Sequence, residues 1–98
     1  MELSSFTMQT LKNFASINSN LVIRGGNTIM TMSEAKNVLA LATVDEDFPQ
    51  EIGIYDLNEF LSVLNLFENS NLKFQENNLI ISDSSGRSKI KYFYSDID

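Results

Sequence analysis

The stretch NSNLVIRGGNTIMTMS (Asn18–Ser33) returns later in the chain as NSNLKFQENNLIISDS (Asn69–Ser84), and this repeat decides the fold. Both copies begin with the same four residues, and identities continue in register at three further positions. Each copy follows an amphipathic run that is typical of a helix. The repeating unit is therefore a helix, an NSNL turn, a strand, a turn rich in Gly or Asn, and a second strand. Such a unit cannot bury its apolar face alone, so we expect two copies to pack together. Chance recurrence of asparagine is the alternative explanation.

The composition is that of one globular domain, and it excludes several kinds of chemistry. The chain has 98 residues, of which 43% are hydrophobic and 20% are charged, with no cysteine and no histidine. Disulfides, thiolate catalysis, Cys/His zinc sites and imidazole acid–base catalysis are therefore excluded. We expect no metal ion and no cofactor. No apolar run reaches the length of a membrane span, so no membrane partner is expected.

The net charge of −6 is unevenly distributed along the chain. Twelve of the thirteen acidic residues lie from Glu34 onward, and none lies between Leu3 and Ser33. An acidic protein is not expected to grip nucleic acid through general phosphate attraction. The acid-free segment nevertheless indicates that one surface is kept clear of carboxylates.

Two amphipathic helices are predicted, at Ser4–Ser16 and Leu57–Phe67. Ser4 or Ser5 can cap the first helix, and Asp56 with Glu59 three residues later fits a capping box for the second. Their apolar stripes are Met8, Leu11, Phe14 and Ala15 in the first, and Leu57, Phe60, Leu61, Leu64 and Phe67 in the second.

The rest of the chain predicts strands. They are expected at Asn20–Arg24, Thr28–Thr31, Lys36–Val44, Glu51–Tyr55, Leu72–Gln75, Leu79–Ser82 and Ser88–Tyr94, and Met1–Leu3 can add a short first strand. Gly25-Gly26-Asn27 predicts a hairpin between the first two strands, as Asn77-Asn78 does in the second copy. Asp45–Pro49 is interpreted as an exposed loop ended by its proline. The expected fold is α+β, with two helices on one mostly antiparallel sheet.

The polar faces of the two helices carry the functional signal. They consist of Ser5, Gln9, Lys12, Asn13 and Ser16 in the first helix, and Asn58, Ser62 and Asn65 in the second. Exposed helix faces more often carry Glu and Lys, which are better helix formers than Asn and Ser. A weakly charged polar face would let a polyanion pass along it without being held in place. The alternative is that both faces are simply solvated.

Catalysis is not expected from this set of residues. Asp45-Glu46-Asp47 is typical of a solvated turn and not of a metal cluster. Gly25-Gly26 lacks the Lys-Ser pair and the following helix of a phosphate-binding loop. Asp56 is explained by its role as a helix cap.

Two longer runs, LKNFASINSN at Leu11–Asn20 and IYDLNEFLSVL at Ile54–Leu64, closely resemble the sliding clamps of T-even-type bacteriophages. The resemblance continues in register through TIMT at Thr28–Thr31 and LIISDSSGRSKI at Leu79–Ile90. It implies a processivity-fold domain built from two similar βαβββ halves, which agrees with the NSNL repeat. Residues 1–98 would form a single clamp domain.

The resemblance also implies a function and partners. Clamps of this family are DNA polymerase processivity factors, built as homotrimeric rings of two-domain chains around duplex DNA. They tether the replicative DNA polymerase, are loaded by an ATP-driven clamp loader, and support late transcription in the host bacterial cytoplasm. The helices line the hole, so the implied DNA-facing residues are Gln9, Lys12, Asn13, Ser16, Asn58, Ser62 and Asn65. The last strand implies a subunit interface made by Lys89, Ile90, Lys91, Tyr92, Phe93 and Tyr94.

The length of the chain leaves two alternatives open. Residue 98 falls about where the first of two clamp domains would end, so we favour an amino-terminal domain over a one-domain clamp. The alternative function is a stand-alone phage adaptor domain that binds a protein and does not touch DNA. In the clamp, the outer edge of the last strand is expected to be unpaired within the domain, with lysines that discourage random strand addition.

Overall fold

The computed structural model describes residues 1–67 and 69–96, and it confirms an α+β fold with two helices and antiparallel strands. The elements are α1 (Ser5–Ala15), β1 (Leu21–Ile23), β2 (Gly26–Met32), β3 (Leu39–Phe48), β4 (Ile52–Ile54), α2 (Leu57–Leu64), β5 (Asn71–Phe74), β6 (Asn78–Ser82) and β7 (Lys89–Phe93). None of the described helices is long and apolar enough to cross a membrane.

Both helices begin at the caps that the sequence predicts. The Ser4 hydroxyl accepts a hydrogen bond from the Thr7 amide at 3.2 Å, and the Asp56 carboxylate accepts one from the Glu59 amide at 3.2 Å. These side chains satisfy amides that have no partner within the first turn of a helix. α2 ends at Leu64 and not at Phe67, although the Phe67 side chain still packs against the core.

The sequence suggested a single sheet, but the strands do not form one. Within the described residues they form three antiparallel groups: β1 with β4, β2 with β3, and β5–β6–β7. The hairpin predicted at Asn77-Asn78 is confirmed, because β5 and β6 pair directly and the Gln75 amide donates to the Asn78 carbonyl at 2.9 Å. The hairpin predicted at Gly25-Gly26-Asn27 is wrong.

The reason for that error lies in the two glycines. Gly25 and Gly26 both have positive φ, at 90° and 77°, and the chain turns between β1 and β2 at this pair. β1 then pairs with β4, and β2 begins at Gly26 opposite Phe48 of β3. A shift of register between Gly26 and Thr28 marks the irregularity in the β2–β3 ladder. A Gly-Gly pair allows positive φ, but it does not require that the flanking strands pair with each other.

The acidic run also differs from its prediction as an exposed loop. β3 starts at Leu39 and continues to Phe48, so Asp45, Glu46 and Asp47 lie within a strand. Side chains alternate along a strand, and this places Glu46 in the interior while Asp45 and Asp47 are exposed. Proline 49 follows the end of the strand, where it removes no ladder hydrogen bond.

Each repeat pairs with the segment that precedes the helix of the other repeat, although Met1–Leu3 does not form the short strand that the sequence suggested. Leu21 of β1 lies opposite Ile54 of β4, which is the first strand of the second half. In the other half, Leu72 of β5 donates to the Met1 carbonyl at 2.7 Å, and the Met1 amino group donates to the Leu72 carbonyl at 3.0 Å. Each half therefore pairs with the segment that precedes the helix of the other half.

The core joins both halves. Phe48 at the end of β3 meets Phe74 of β5 edge to face, with ring centroids 5.9 Å apart. The buried apolar side chains are Leu11, Phe14, Leu21, Ile23, Ile29, Val44, Phe48, Ile52, Ile54, Leu57, Phe60, Leu61, Leu64, Leu72, Leu79 and Ile81. Because these residues come from both helices and from all strands but β7, the helices are fixed against the strands and present their polar sides outward.

Candidate functional site

The polar residues of α1 form one continuous exposed stripe. Gln9, Lys12, Asn13 and Ser16 follow the spacing that keeps side chains on one side of a helix, and all four are exposed. Gln9 donates a hydrogen bond to the Asn13 side chain at 3.3 Å, one turn further along the helix. The structure thus brings together the four α1 residues that the sequence selected.

The equivalent residues of α2 form a second exposed stripe. Asn58, Ser62 and Asn65 are all exposed, and Asn65 occupies the carboxyl-terminal cap of the helix. The Ser62 hydroxyl is turned back to the helix, where it donates to the Asn58 carbonyl at 3.0 Å. α2 packs against α1, so the two helices form one layer.

The charges on these helices are few. Lys12 is the one charged residue of α1, and it lies in the last turn, where the helix dipole favours a cation. α2 contains one charged residue, the exposed Glu59 in its first turn. The stripe on α1 is therefore free of carboxylates and has a single cation, as the sequence indicates.

The β7 strand divides its side chains between two environments. Lys89, Lys91 and Phe93 are exposed, with 67% of Phe93 accessible to solvent. Ile90 and Tyr92 are half-buried against the core, and Tyr92 meets Phe60 edge to face at 5.0 Å. Of the six residues predicted to form a subunit interface, three pack against the domain's own core on one face, namely Ile90, Tyr92 and Tyr94.

Burial changes the acidity of the two tyrosines at this end of the domain. It raises the pKa of Tyr92, and the nearby Glu59 carboxylate raises that pKa further. Burial also raises the pKa of Tyr94, which is half-buried just beyond β7. Both phenols are therefore neutral at physiological pH and act as packing groups in this part of the domain.

The backbone edge of β7 is open within the described residues. β7 pairs with β6 on one side, Ile81 opposite Ile90, and with no described strand on the other. Beyond the strand, the Ser95 amide donates to the Gly53 carbonyl of β4 at 2.9 Å. This arrangement agrees with the expectation that the edge is available, although it does not identify a partner.

β3 also has a strand on one side only, as do β1, β2, β4 and β5 among the described strands. β3 pairs with β2 only among the described strands, and it exposes Asp45 and Asp47 on the face away from the core. On β7 the exposed residues Lys89 and Lys91 also point away from the core and have the same two-residue spacing. The exposed side chains of β7 and of the end of β3 therefore have opposite charges.

Glu46 is a structurally important residue that the sequence reasoning missed. It is only 8% exposed, its Oε2 accepts from the Ser4 amide at 2.6 Å, and its Oε1 accepts from the Thr7 hydroxyl. The signal was the period-two pattern of Val44, Glu46 and Phe48, which predicts a strand with these three residues inside. The high charge of the segment concealed that pattern.

Burial acts to raise the pKa of the Glu46 carboxyl, but the hydrogen bonds outweigh it. The Thr7 hydroxyl and the Ser4 amide stabilise the charged form, and the pKa ends below its ordinary value. Glu46 is therefore ionised at physiological pH. The neighbouring acids do not join it in a metal site, and the described residues contain no group of three or more acidic side chains placed to hold a metal ion.

Comparison with known proteins places these features in context. A family model described as DNA polymerase processivity factor matches residues 4–96. The sliding clamp of Vibrio phage KVP40 is 39% identical over 98 residues, which is 100% of this chain and 44% of that protein. The sliding clamps of Escherichia phage RB69 and Enterobacteria phage T4 are 42% and 41% identical over 66 residues, covering 67% of this chain and 29% of each relative. The chain spans less than half the length of these relatives.

Proposed function

This chain belongs to the DNA polymerase processivity factor family, and from that membership we propose that it is one domain of a sliding clamp that encircles duplex DNA. In this proposal α1 and α2 face the DNA, and the strands form the outside of the ring. The clamp tethers the phage replicative polymerase, is placed on DNA by a clamp loader, and supports late transcription in the host cytoplasm. No residue of this domain is assigned to the polymerase, the loader or the transcription machinery.

The observation that carries the proposal is the exposed α1 stripe of Gln9, Lys12, Asn13 and Ser16. Each phosphate neutralised by Lys or Arg strengthens DNA binding and makes it more sensitive to salt. A single cation among neutral polar groups, which can contact DNA through water, permits movement along the duplex. The Asn58, Ser62 and Asn65 stripe of α2 extends the same kind of surface. A surface of this composition is suited to sliding and unsuited to tight binding at one position.

The open edges of β7 and β3 support assembly into a ring. Head-to-tail closure requires two different complementary surfaces on each repeating unit. β7 offers one edge with Lys89 and Lys91, and β3 offers another with Asp45 and Asp47. Opposite charges of matched spacing favour the correct partner and disfavour like edges. We infer that β7 pairs with a strand of a neighbouring clamp domain. The ring would then contain three chains of two domains, of which this is the first.

The decisive test is Lys12→Glu in the complete clamp. With one Lys12 in each of three chains, the slope of log affinity against log salt should fall by about 2.7, because each phosphate contact contributes about 0.9. Loading onto nicked circular DNA and processive primer extension should both weaken. Lys73→Glu is the matched control, since Lys73 is exposed on β5, away from the helices. It makes the same charge change outside the proposed DNA-facing surface.

We expect Lys12→Glu to lose loading and processivity and Lys73→Glu to keep both, with the thermal stability of each variant unchanged. Equal processivity in the wild type and Lys12→Glu would remove Lys12 from the DNA-facing surface. Equal losses in both variants would show a general effect of net charge, which would also contradict the assignment.

A stand-alone adaptor domain is favoured by a different observation. On the exposed face of the β2–β3 ribbon, Met30 lies opposite Leu41 and Met32 opposite Leu39, and these four side chains are 40–63% exposed. Exposed apolar groups in a cluster are typical of a protein-binding surface. Leu41→Ser would weaken protein binding in an adaptor, whereas Lys12→Glu would have no effect. Opposite responses of these two variants therefore distinguish an adaptor from a clamp.

A further inference from the structure

The first turn of α1 has no acidic residue. A helix amino terminus has unpaired amides and a partial positive charge, and Asp or Glu in the first turn usually compensates for them. In α1 the first turn is Ser5-Phe6-Thr7, and the cap at Ser4 is a neutral hydroxyl. The negative charge that this helix end favours must come from elsewhere.

It comes from β3. The Glu46 carboxylate reaches the start of α1 from the sheet side, where it accepts from the Ser4 amide at 2.6 Å and from the Thr7 hydroxyl. Thr7 is fully buried and Glu46 is 8% exposed, so the hydrogen bond from Thr7 is shielded from water, and the bond from the Ser4 amide is partly shielded. The carboxylate thus lies behind the helix, away from the Gln9–Ser16 stripe.

α2 has the opposite arrangement. Its cap is its own Asp56, and its first turn contains the exposed Glu59. Both carboxylates belong to the helix itself. The helix with Lys12 receives its compensating charge from a buried strand residue, whereas the helix without a cation has surface acids.

We propose that Glu46 is a positioning residue for the DNA-facing surface: it holds the start of α1 against β3 and supplies the negative charge from the buried side, so that the surface with Lys12 stays free of carboxylates. The proposal rests on the function proposed above. It assigns Glu46 an effect on DNA retention in addition to its effect on stability.

The test compares the loss of the Glu46 carboxylate with its transfer to the exposed side of α1. Glu46→Gln deletes the buried carboxylate, and the double variant Glu46→Gln/Ser5→Glu places a carboxylate in the first turn of α1, at an exposed position on the DNA-facing side. Glu46→Asp is the conservative variant, and Lys12→Glu reports independently on the DNA-facing surface. For each complete clamp, the urea midpoint and the half-life on closed circular DNA are measured, and amide exchange in α1 and α2 is followed.

Glu46→Gln should lower the folding equilibrium constant by about tenfold to a hundredfold, the scale for a hydrogen bond to a charged group. It should speed amide exchange in the first turn of α1 and leave that of α2 unchanged. Ser5→Glu in the double variant should recover part of the lost stability through the helix dipole. The half-life on DNA should nevertheless fall below that of Glu46→Gln alone, because a carboxylate now faces the phosphates. Glu46→Gln alone should also shorten the half-life on DNA, because the start of α1 is no longer fixed, and Glu46→Asp should recover part of both the stability and the half-life.

Recovery of both stability and DNA half-life in the double variant would overturn the proposal, because the position of the carboxylate would then not matter. Unchanged α1 exchange in Glu46→Gln would also overturn it. If Lys12→Glu shortens the half-life but the double variant does not, only the inference about Glu46 fails. If neither changes it, the DNA-facing assignment of α1 fails and the inference falls with it.

Discussion

Gly53 of β4 lies against Ser95 and Asp96, which follow β7 in the chain. A Cβ placed on Gly53 would lie 2.6 Å from the Ser95 carbonyl oxygen, 2.9 Å from the Ser95 hydroxyl and 3.2 Å from the Asp96 carbonyl oxygen. Ordinary contact begins at 3.4 Å, so Gly53→Ala would force the Ser95 backbone to withdraw by about 0.8 Å. The backbone of Ser95 cannot turn aside as a flexible side chain can.

Two costs follow from this withdrawal. Overpacking by one methyl group costs about 1–3 kcal/mol, and loss of the hydrogen bond from the Ser95 amide to the Gly53 carbonyl costs about 1 kcal/mol, for a total of about 2–4 kcal/mol. With a urea m value of about 1.5 kcal/mol/M, the midpoint of unfolding should fall by about 1.3–2.7 M. Amide exchange at Ser95 should accelerate more than exchange in the core strands.

Gly86→Ala is the matched control. Gly86 has a positive φ of 74°, and a Cβ there meets nothing within 4 Å, so the change strains the backbone without displacing a neighbour. It should cost about 1–2 kcal/mol, the penalty of a left-handed alanine, and leave Ser95 exchange as it was. A Gly53→Ala domain whose midpoint moved by less than about 0.3 M, with Ser95 still protected, would refute the reasoning.

Two further predictions concern pH and assembly. The pKa of Glu46 is held below its ordinary 4.5 in the folded domain, so its carboxylate contributes stability above that pH, and this contribution is lost as the pH falls through the folded pKa. The melting temperature of Glu46→Gln should therefore fall less than that of the wild type between about pH 5 and about pH 3. Equal falls in the two melting temperatures would contradict a stabilising role of the Glu46 carboxylate. At micromolar concentration residues 1–98 alone should form a monomer or weak dimer, because exposed charge pairs such as those proposed between β3 and β7 contribute only about 0–1 kcal/mol each. A stable hexamer in light scattering would favour a one-domain ring.

Local features with a single physical cause could be predicted from the sequence. The Ser4 and Asp56 caps are confirmed because a side-chain oxygen next to unpaired amides has one favourable geometry. The exposed stripe around Lys12 follows directly from helical spacing. The open edge of β7 agrees with its lysines, although the identity of the partner strand stays a prediction.

The errors arose where a long-range contact overrides a local signal. Asp45-Glu46-Asp47 has the composition of a surface turn, but the buried partners of Glu46 lie at Ser4 and Thr7, about forty residues earlier in the chain. The period-two pattern around Glu46 predicts that its side chain is inside, but no local pattern identifies hydrogen-bond donors so far away in the sequence. A buried carboxylate becomes favourable only when its hydrogen-bond donors are already placed by the fold.

The NSNL repeat does not predict the contacts that its two copies make. Both halves contain NSNL, yet the motif makes different contacts in each: the Ser19 carbonyl accepts from the Leu57 amide at 2.7 Å, whereas the Ser70 hydroxyl donates to the Leu64 carbonyl at 2.7 Å. The first contact joins the halves, and the second stays within one. Together with the pairing of β1 with β4 and of Leu72 with Met1, this means that neither half is complete without the other. Two similar sequences thus produce one domain, because each half pairs with the segment that precedes the helix of the other half.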